Sequence, residues 1–183
     1  KYHVDVVVIG GGIAGLWLLN RLRQDGYNAI LLEANALGSG QTIASQGMIH
    51  GGIKYTLAGS LTGASEAIAD MPSIWQECFK GCGQIDLSSA KLLSDHFYLW
   101  STDDISSRMS GFLASKITRG RIDAVKPDDY PPLFRNASNS SLYRLIDKVI
   151  DTSSVISVLA THVQDYIYKV DLQQYQWQKT SNS

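Results

Sequence analysis

The first strand, turn and helix constrain the fold of this chain more than any other stretch. Residues 4–9 read VDVVVI, a β-branched apolar run of the kind that forms a buried strand in a parallel sheet. Gly10, Gly12 and Gly15 follow in the spacing G-x-G-x-x-G, where the pattern becomes helical. A second apolar strand, residues 29–32, ends in Glu33. This order of elements predicts a Rossmann-like α/β domain with a parallel sheet.

The glycine spacing favours a dinucleotide site. Gly10 permits the tight turn, Gly12 allows a pyrophosphate to approach the backbone, and Gly15 lets the helix pack closely on the strand. Glu33 lies 23 positions after Gly10 and can accept hydrogen bonds from a ribose diol, while it repels a 2′-phosphate. The alternative is a glycine turn in another kind of α/β protein, with Glu33 as an ordinary strand-end acid. The predicted contacts here are Gly10, Gly12, Ile13, Ala14, Gly15 and Glu33.

Composition excludes several other classes of protein. The chain has 183 residues and a formal net charge of −1, which suggests one domain with or without an insertion and indicates no nucleic-acid partner. The apolar stretch 4–19 is short for a membrane span and contains glycines, so membrane association is not indicated. Cys78 and Cys82 are too few for a disulfide framework and have no histidine at zinc-ligand spacing, so we expect no metal site. We expect a cytoplasmic protein without a signal peptide.

A second informative stretch, residues 37–57, is rich in glycine, serine and threonine. It is much longer than an ordinary connection after a strand of an α/β domain. Small residues over this length predict a backbone that comes close to a ligand.

This stretch resembles the segment after the second strand in FAD-dependent oxidoreductases of the D-amino-acid oxidase superfamily. It is most similar to the glycerol-3-phosphate and L-2-hydroxyglutarate dehydrogenase branches. The residues that carry the resemblance are Gly40, Gln41, Thr42, Ser45, Gly47, Ile49, His50, Gly51, Gly52, Ile53 and Tyr55. It implies that FAD is the cofactor, with Thr42 and Ser45 bonded to phosphate or ribityl oxygens and Gly47 and Met48 beside the flavin. Ala34 and Gly40 complete the cofactor residues that we expect.

The resemblance also implies a reaction: oxidation of a C–H bond next to a hydroxyl or amine, with hydride passing to the flavin. His50 would take the substrate proton, although it could instead order the glycine-rich turn. The substrate would be a small 2-hydroxy acid, polyol phosphate or amino acid. Family members are longer, so a nucleotide-binding module that needs a second half or a partner chain is an alternative. An NAD-dependent dehydrogenase is a weaker one.

In this family the nucleotide-binding domain is interrupted by substrate-domain segments, which predicts a division of the chain into an interrupted domain and a polar tail. The first segment of the FAD-binding domain is residues 1–65, and an α+β substrate-domain insertion follows at 66–150. Residues 151–172 return to the FAD-binding domain, and the polar tail is 173–183. Around and within the insertion, the pattern predicts strands at 85–87 and 142–150 and a helix over 61–79 that is kinked or split at Pro72. Trp75 and Trp100 are expected to be core or interface residues.

Overall fold

The computed structural model describes residues 3–49, 51, 70–102, 122–135, 140–171 and 174. Within them the α-helices are α1 (Ile13–Gln24), α2 (Gln41–Ala44), α3 (Met71–Phe79) and α4 (Thr152–His162). The strands are β1 (Val6–Ile9), β2 (Ala29–Glu33), β3 (Met48–Ile49), β4 (Leu92–Ser94), β5 (Phe97–Thr102), β6 (Ile122–Ala124), β7 (Ser140–Leu145), β8 (Lys148–Ile150) and β9 (Ile167–Lys169). Short 3-10 helices span Pro127–Asp129, Pro132–Phe134 and Gln164–Tyr166.

The predicted parallel sheet is confirmed. It has the order β1-β2-β9, with Val8 opposite Leu31 and Leu31 opposite Ile167. Helix α1 is the crossover between the parallel strands β1 and β2, and α4 connects β8, a strand of another sheet, to β9 of the parallel sheet. All the elements that form the other two sheets lie in the chain between β2 and α4.

Both helices pack on the same apolar core as the parallel sheet. Leu16 and Leu19 of α1 and Leu159 of α4 are fully buried with Leu31 of β2. Asn20 is a polar residue within this core, with only 2% of its surface exposed. Its side-chain amide donates to the carbonyl oxygens of Leu16 and Leu159, both at 2.9 Å, so it joins α1 to α4.

Two antiparallel sheets complete the described structure. One has the order β3-β8-β4 and the other the order β5-β7-β6. In the first, Met48 of β3 lies opposite Val149 of β8, and Ser94 of β4 lies on the other side of Val149. The strand that carries Met48 is therefore held by a strand about 100 positions further along the sequence. No helix among the described residues is both long enough and apolar enough to cross a membrane.

Two predictions about the insertion are wrong for residues that the structure describes. Residues 142–150 form parts of two strands, β7 and β8, because these belong to different sheets and the chain must turn between them. Ile85 and Leu87 are buried without being in a strand; the Leu87 N–H instead donates to the Cys78 carbonyl at the end of α3. The predicted helix over 61–79 lies outside the described residues before residue 70; α3 begins at Met71 and has Pro72 in its first turn, where no helical N–H is needed.

Candidate functional site

The glycine turn between β1 and α1 has the geometry that its spacing predicts. Gly10 has a φ of +101°, a conformation that side chains rarely adopt, and its N–H donates to the Leu32 carbonyl at 2.9 Å. A Cβ on Gly15 would overlap the carbonyl oxygen of Gly10, so α1 packs on the turn as closely as its backbone allows. Gly12 is the N-cap of α1 and supplies no side chain to its free N–H groups.

Glu33, at the end of β2, reaches back to this turn. Its Oε2 accepts a hydrogen bond of 2.5 Å from the Gly11 N–H, and its Oε1 accepts one of 2.6 Å from the Asn35 N–H. The N–H groups of Asn35 and then Gly11 hold the pKa of the Glu33 carboxyl below its ordinary value of 4.5, although partial burial acts in the opposite direction. The carboxylate is therefore fixed beside the turn as an anion.

The segment after β2 returns to the start of α1 and is fixed there by the backbone. The Gly38 N–H donates to the Gly11 carbonyl at 2.8 Å, and the Thr42 hydroxyl oxygen accepts from the Ile13 N–H at 3.2 Å. Thr42 thus supplies the capping acceptor that Gly12 lacks. Further on, the Gly47 carbonyl accepts from the Ile150 N–H at 2.8 Å, immediately before α4.

A cavity of about 700 Å³ opens between the start of α1, the segment after β2 and the junction of β8 with α4. Its volume is within the usual range for small-molecule sites. The residues that line it are Gly12, Ile13, Ala14, Ser39, Gln41, Thr42, Ser45, Gln46, Gly47, Met48, Ile49, Trp75, Ile150 and Thr152. None of these described residues has an ionisable side chain, so the polar groups that they bring to the cavity are hydroxyls, amides and the backbone N–H groups of the helix end.

Most of the predicted cofactor residues meet at this cavity: Gly12, Ile13, Ala14, Thr42, Ser45, Gly47 and Met48 line it. Gly10 and Gly15 form the turn behind it. Gly40 is the N-cap of α2 with a φ of +82°, and Glu33 and Ala34 lie at the end of β2, outside the lining. His50 lies outside the described residues.

Sequence reasoning missed part of the lining, namely Ser39, Gln41, Gln46, Ile49, Trp75, Ile150 and Thr152. Trp75 was expected in the core, and it is indeed buried, but it also borders the cavity from α3. Its apolar helical spacing gives no signal for this second role. Thr152 begins α4, and a helix start directly after a strand was the one local signal that could have drawn attention to it.

Another cavity, of about 430 Å³, lies at the other end of α1. It is lined by residues that include Arg23, Asp86, His162 and Tyr166, and by none of the predicted site residues. The Arg23 guanidinium lies 3.5 Å from the centre of the Tyr166 ring, so this side chain already has a partner within the chain. The larger cavity at the glycine turn is therefore the candidate site.

The chain is similar to known proteins over most of its length. Residues 5–142 match the family described as FAD dependent oxidoreductase. A probable FAD-dependent oxidoreductase of Pseudomonas aeruginosa is 48% identical over 157 residues, which are 85% of this chain and 40% of that protein. Its crystal structure superposes with a TM-score of 0.67 at 40% identity, covering 89% of this chain and 38% of the other. This chain thus spans about 40% of the length of that relative.

Two further relatives are more distant. The aerobic glycerol-3-phosphate dehydrogenase of Escherichia coli is 36% identical over 66 residues, 36% of this chain and 13% of that protein. The crystal structure of glycine oxidase from Geobacillus kaustophilus has a TM-score of 0.68 at 16% identity and covers 92% of this chain and 47% of the other. The similarity to this glycine oxidase shows a shared fold only.

Proposed function

Because the chain belongs to the family of FAD-dependent oxidoreductases, we propose that it forms the FAD-binding part of an enzyme that oxidises a C–H bond next to a hydroxyl or amine. The family and its cofactor, FAD, are those predicted from residues 40–55, and that prediction is confirmed. The reaction itself, the substrate and the site residues are proposals.

One observation carries the proposal: the glycine turn and the segment after β2 share one cavity. Gly12 and Thr42 are neighbours in its lining, since a Cβ added to Gly12 would be only 3.2 Å from the Thr42 hydroxyl oxygen. Two stretches that were singled out separately in the sequence therefore border the same cavity, which supports a single site. A glycine turn with only a structural role would give no reason for this convergence.

The residues present fit FAD chemically. The start of α1 offers backbone N–H groups and the positive end of its dipole to a diphosphate, and none of the described lining residues is a carboxylate that would repel it. Hydroxyl and amide groups from Ser39, Gln41 and Ser45 suit an oxygen-rich chain. We propose that Gly10–Gly15 hold the diphosphate, that Glu33 accepts hydrogen bonds from the adenosine ribose, and that Thr42–Met48 follow the ribityl chain to the flavin.

When bound, FAD supplies a hydride acceptor, and the protein binds, orients and shields it. We propose that His50, directly after β3, removes the proton of the substrate hydroxyl or amine. By relation to the glycerol-3-phosphate dehydrogenase and the glycine oxidase, the substrate would be a polyol phosphate, an amino acid or a 2-hydroxy acid.

A second candidate is a nucleotide-binding module that needs a further polypeptide for catalysis. The observation in its favour is that this chain spans about 40% of the Pseudomonas relative. A flavoenzyme must hold the substrate carbon about 3–3.5 Å from the reacting atom and exclude water. We propose that a second half or a partner chain holds the substrate carbon and excludes water. We also propose that the FAD-binding domain is interrupted between residues 65 and 150 and that the assembled protein is cytoplasmic.

The test uses the purified chain with FAD in the absence of oxygen. Glycerol phosphate, 2-hydroxy acids and amino acids are added in turn while the visible flavin absorbance is followed, with the Gly12→Val variant as the control that should not retain FAD. We expect FAD binding without bleaching. Bleaching at about 1 s⁻¹ or faster would show that the chain is a complete enzyme, and no affinity for FAD would contradict the cofactor site.

A further inference from the structure

Trp75 gives the candidate cavity a wall that comes from the insertion. Its helix, α3, packs against β3, the strand formed by Met48 and Ile49. Only 8% of the Trp75 surface is exposed, and the side chain lines the cavity together with Met48 and Gly12. An element outside the parallel sheet therefore contributes directly to the candidate site.

The Trp75 ring is held in place by other aromatic rings. The Trp17 ring on α1 lies 5.0 Å from it between centroids at an interplanar angle of 44°, and the Phe79 ring lies 6.2 Å away. These are ordinary distances for favourable aromatic pairs. The indole is thus fixed by neighbours on two helices before any ligand binds.

The indole N–H is the one hydrogen-bonding group of the Trp75 side chain. Among the described residues, none accepts a hydrogen bond from its indole N–H. Buried tryptophans usually find an acceptor for this group, because an unpaired polar hydrogen is costly away from water. A side chain that lines the candidate cavity, and whose N–H has no acceptor within the described part of the chain, is well suited to meet an acceptor on a ligand.

We propose that the indole N–H of Trp75 donates a hydrogen bond to an oxygen of FAD at its ribityl-flavin end. The proposal rests on the proposed function. The position of α3 beside β3 favours this end, because Met48 and Ile49 lie at the far end of the segment that begins after β2. Glu33, the proposed partner of the adenosine ribose, does not line this cavity. Trp75 is then a cofactor-binding residue supplied by the insertion.

The test compares Trp75→Phe with Trp17→Phe, since both variants lose an indole N–H from the same aromatic pair and only Trp75 lines the cavity. FAD and ADP are titrated separately against each form, because ADP has the adenosine and diphosphate but no ribityl chain or flavin. We expect Trp75→Phe to bind FAD about 3- to 10-fold more weakly, the range for one neutral hydrogen bond, and ADP equally well. Trp17→Phe should leave both affinities within about twofold.

A proton–nitrogen NMR spectrum provides a second readout that also detects weak binding. The chain has four tryptophans, and the signal missing from Trp75→Phe identifies the Trp75 indole N–H. Supporting results are a downfield shift of that signal with FAD and a smaller one with ADP. If the backbone signals of Gly10–Gly15 shift while the Trp75 indole does not, the cofactor site stands and this inference is overturned. Equal weakening of ADP and FAD by Trp75→Phe would also overturn it, and no shift anywhere would overturn both.

Discussion

The Glu33 carboxylate accepts a hydrogen bond of 2.5 Å from the backbone N–H of Gly11, across 22 positions of sequence. This bond connects the end of β2 to the turn that opens α1. The second carboxylate oxygen accepts from Asn35 at 2.6 Å, so the side chain is fixed from both sides. The acid that we assign to the adenosine ribose is therefore positioned by the protein itself, and its position does not depend on the cofactor.

Glu33→Ala should weaken FAD binding by about 1–3 kcal/mol, the range for losing a charged hydrogen-bond partner. Asp5→Ala is a matched control, because the Asp5 carboxylate also accepts from a backbone N–H, that of Asn28 at 2.8 Å, but at the other end of the same two strands. Both variants should lose some stability, and only Glu33→Ala should lose FAD affinity, measured by calorimetric titration. Equal affinity of the two variants would remove Glu33 from the site.

The lowered pKa of Glu33 predicts a pH dependence of stability. The Glu33 carboxyl has a lower pKa in the folded chain than in the unfolded chain, so its ionised form stabilises the fold. This contribution is complete above the unfolded pKa of 4.5, and it is lost as the pH falls through the pKa of the folded chain. The difference in unfolding free energy between the natural chain and Glu33→Ala should therefore be constant well above 4.5 and shrink as the pH falls below that value. Urea titrations at several pH values measure it, and a constant difference would contradict the assignment.

Gly12→Val should abolish FAD binding while the domain stays folded. The new side chain would enter the cavity beside the Thr42 hydroxyl, where we place the diphosphate. Gly15→Ala provides the contrast, because its Cβ would overlap the Gly10 carbonyl and should lower the melting temperature instead. Thermal unfolding and FAD titration of both variants separate the two roles. Normal FAD affinity in Gly12→Val would show that the turn has only a structural role.

Thr42→Val should destabilise the chain by about 1 kcal/mol. The valine keeps the shape of threonine but leaves the Ile13 N–H without its capping acceptor. Thr161→Val is the control, since the Thr161 hydroxyl donates to the Ser157 carbonyl on the exposed side of α4 and caps no helix start. Chemical unfolding of the two variants should differ, and equal stabilities would argue against the cap.

Asn20→Ala should cost about 1–3 kcal/mol of stability, because the Leu159 carbonyl loses a buried donor and α1 loses its polar contact with α4. Gln24→Ala, at the exposed end of the same helix, should change stability much less. Urea unfolding with the same slope for both variants would make the comparison valid. A loss in Asn20→Ala no larger than in Gln24→Ala would show that the bridge contributes little.

The sequence was informative where the contacts are local. The strand, the glycine turn, α1, β2 and Glu33 lie within residues 6–33, and the turn depends on glycine conformations that the residue type itself allows. The family resemblance added the segment from Thr42 to Met48, whose small residues are needed for close approach. These two stretches supply most of the cavity lining that could be named in advance.

The sequence failed where one run of residues serves two sheets or two surfaces. Residues 142–150 read as a single strand, but the partners of β7 and β8 lie in different sheets. Ile85 and Leu87 have the composition of a strand and are buried as loop residues against the end of α3. Hydrophobic spacing reports that a residue is buried, and it does not report against which element.

The sequence by itself therefore determined the glycine turn, the acid that follows it and the α/β class, because the backbone conformations and the order of elements there are set by neighbouring residues. The tertiary structure alone decided that β9 lies beside β2, that Ile150 and Thr152 close the cavity, and that Trp75 borders it. These residues come from parts of the chain up to about 140 positions away from the glycine turn. These residues come into contact only when separate helices and sheets pack against one another, and a local sequence pattern does not predict that packing.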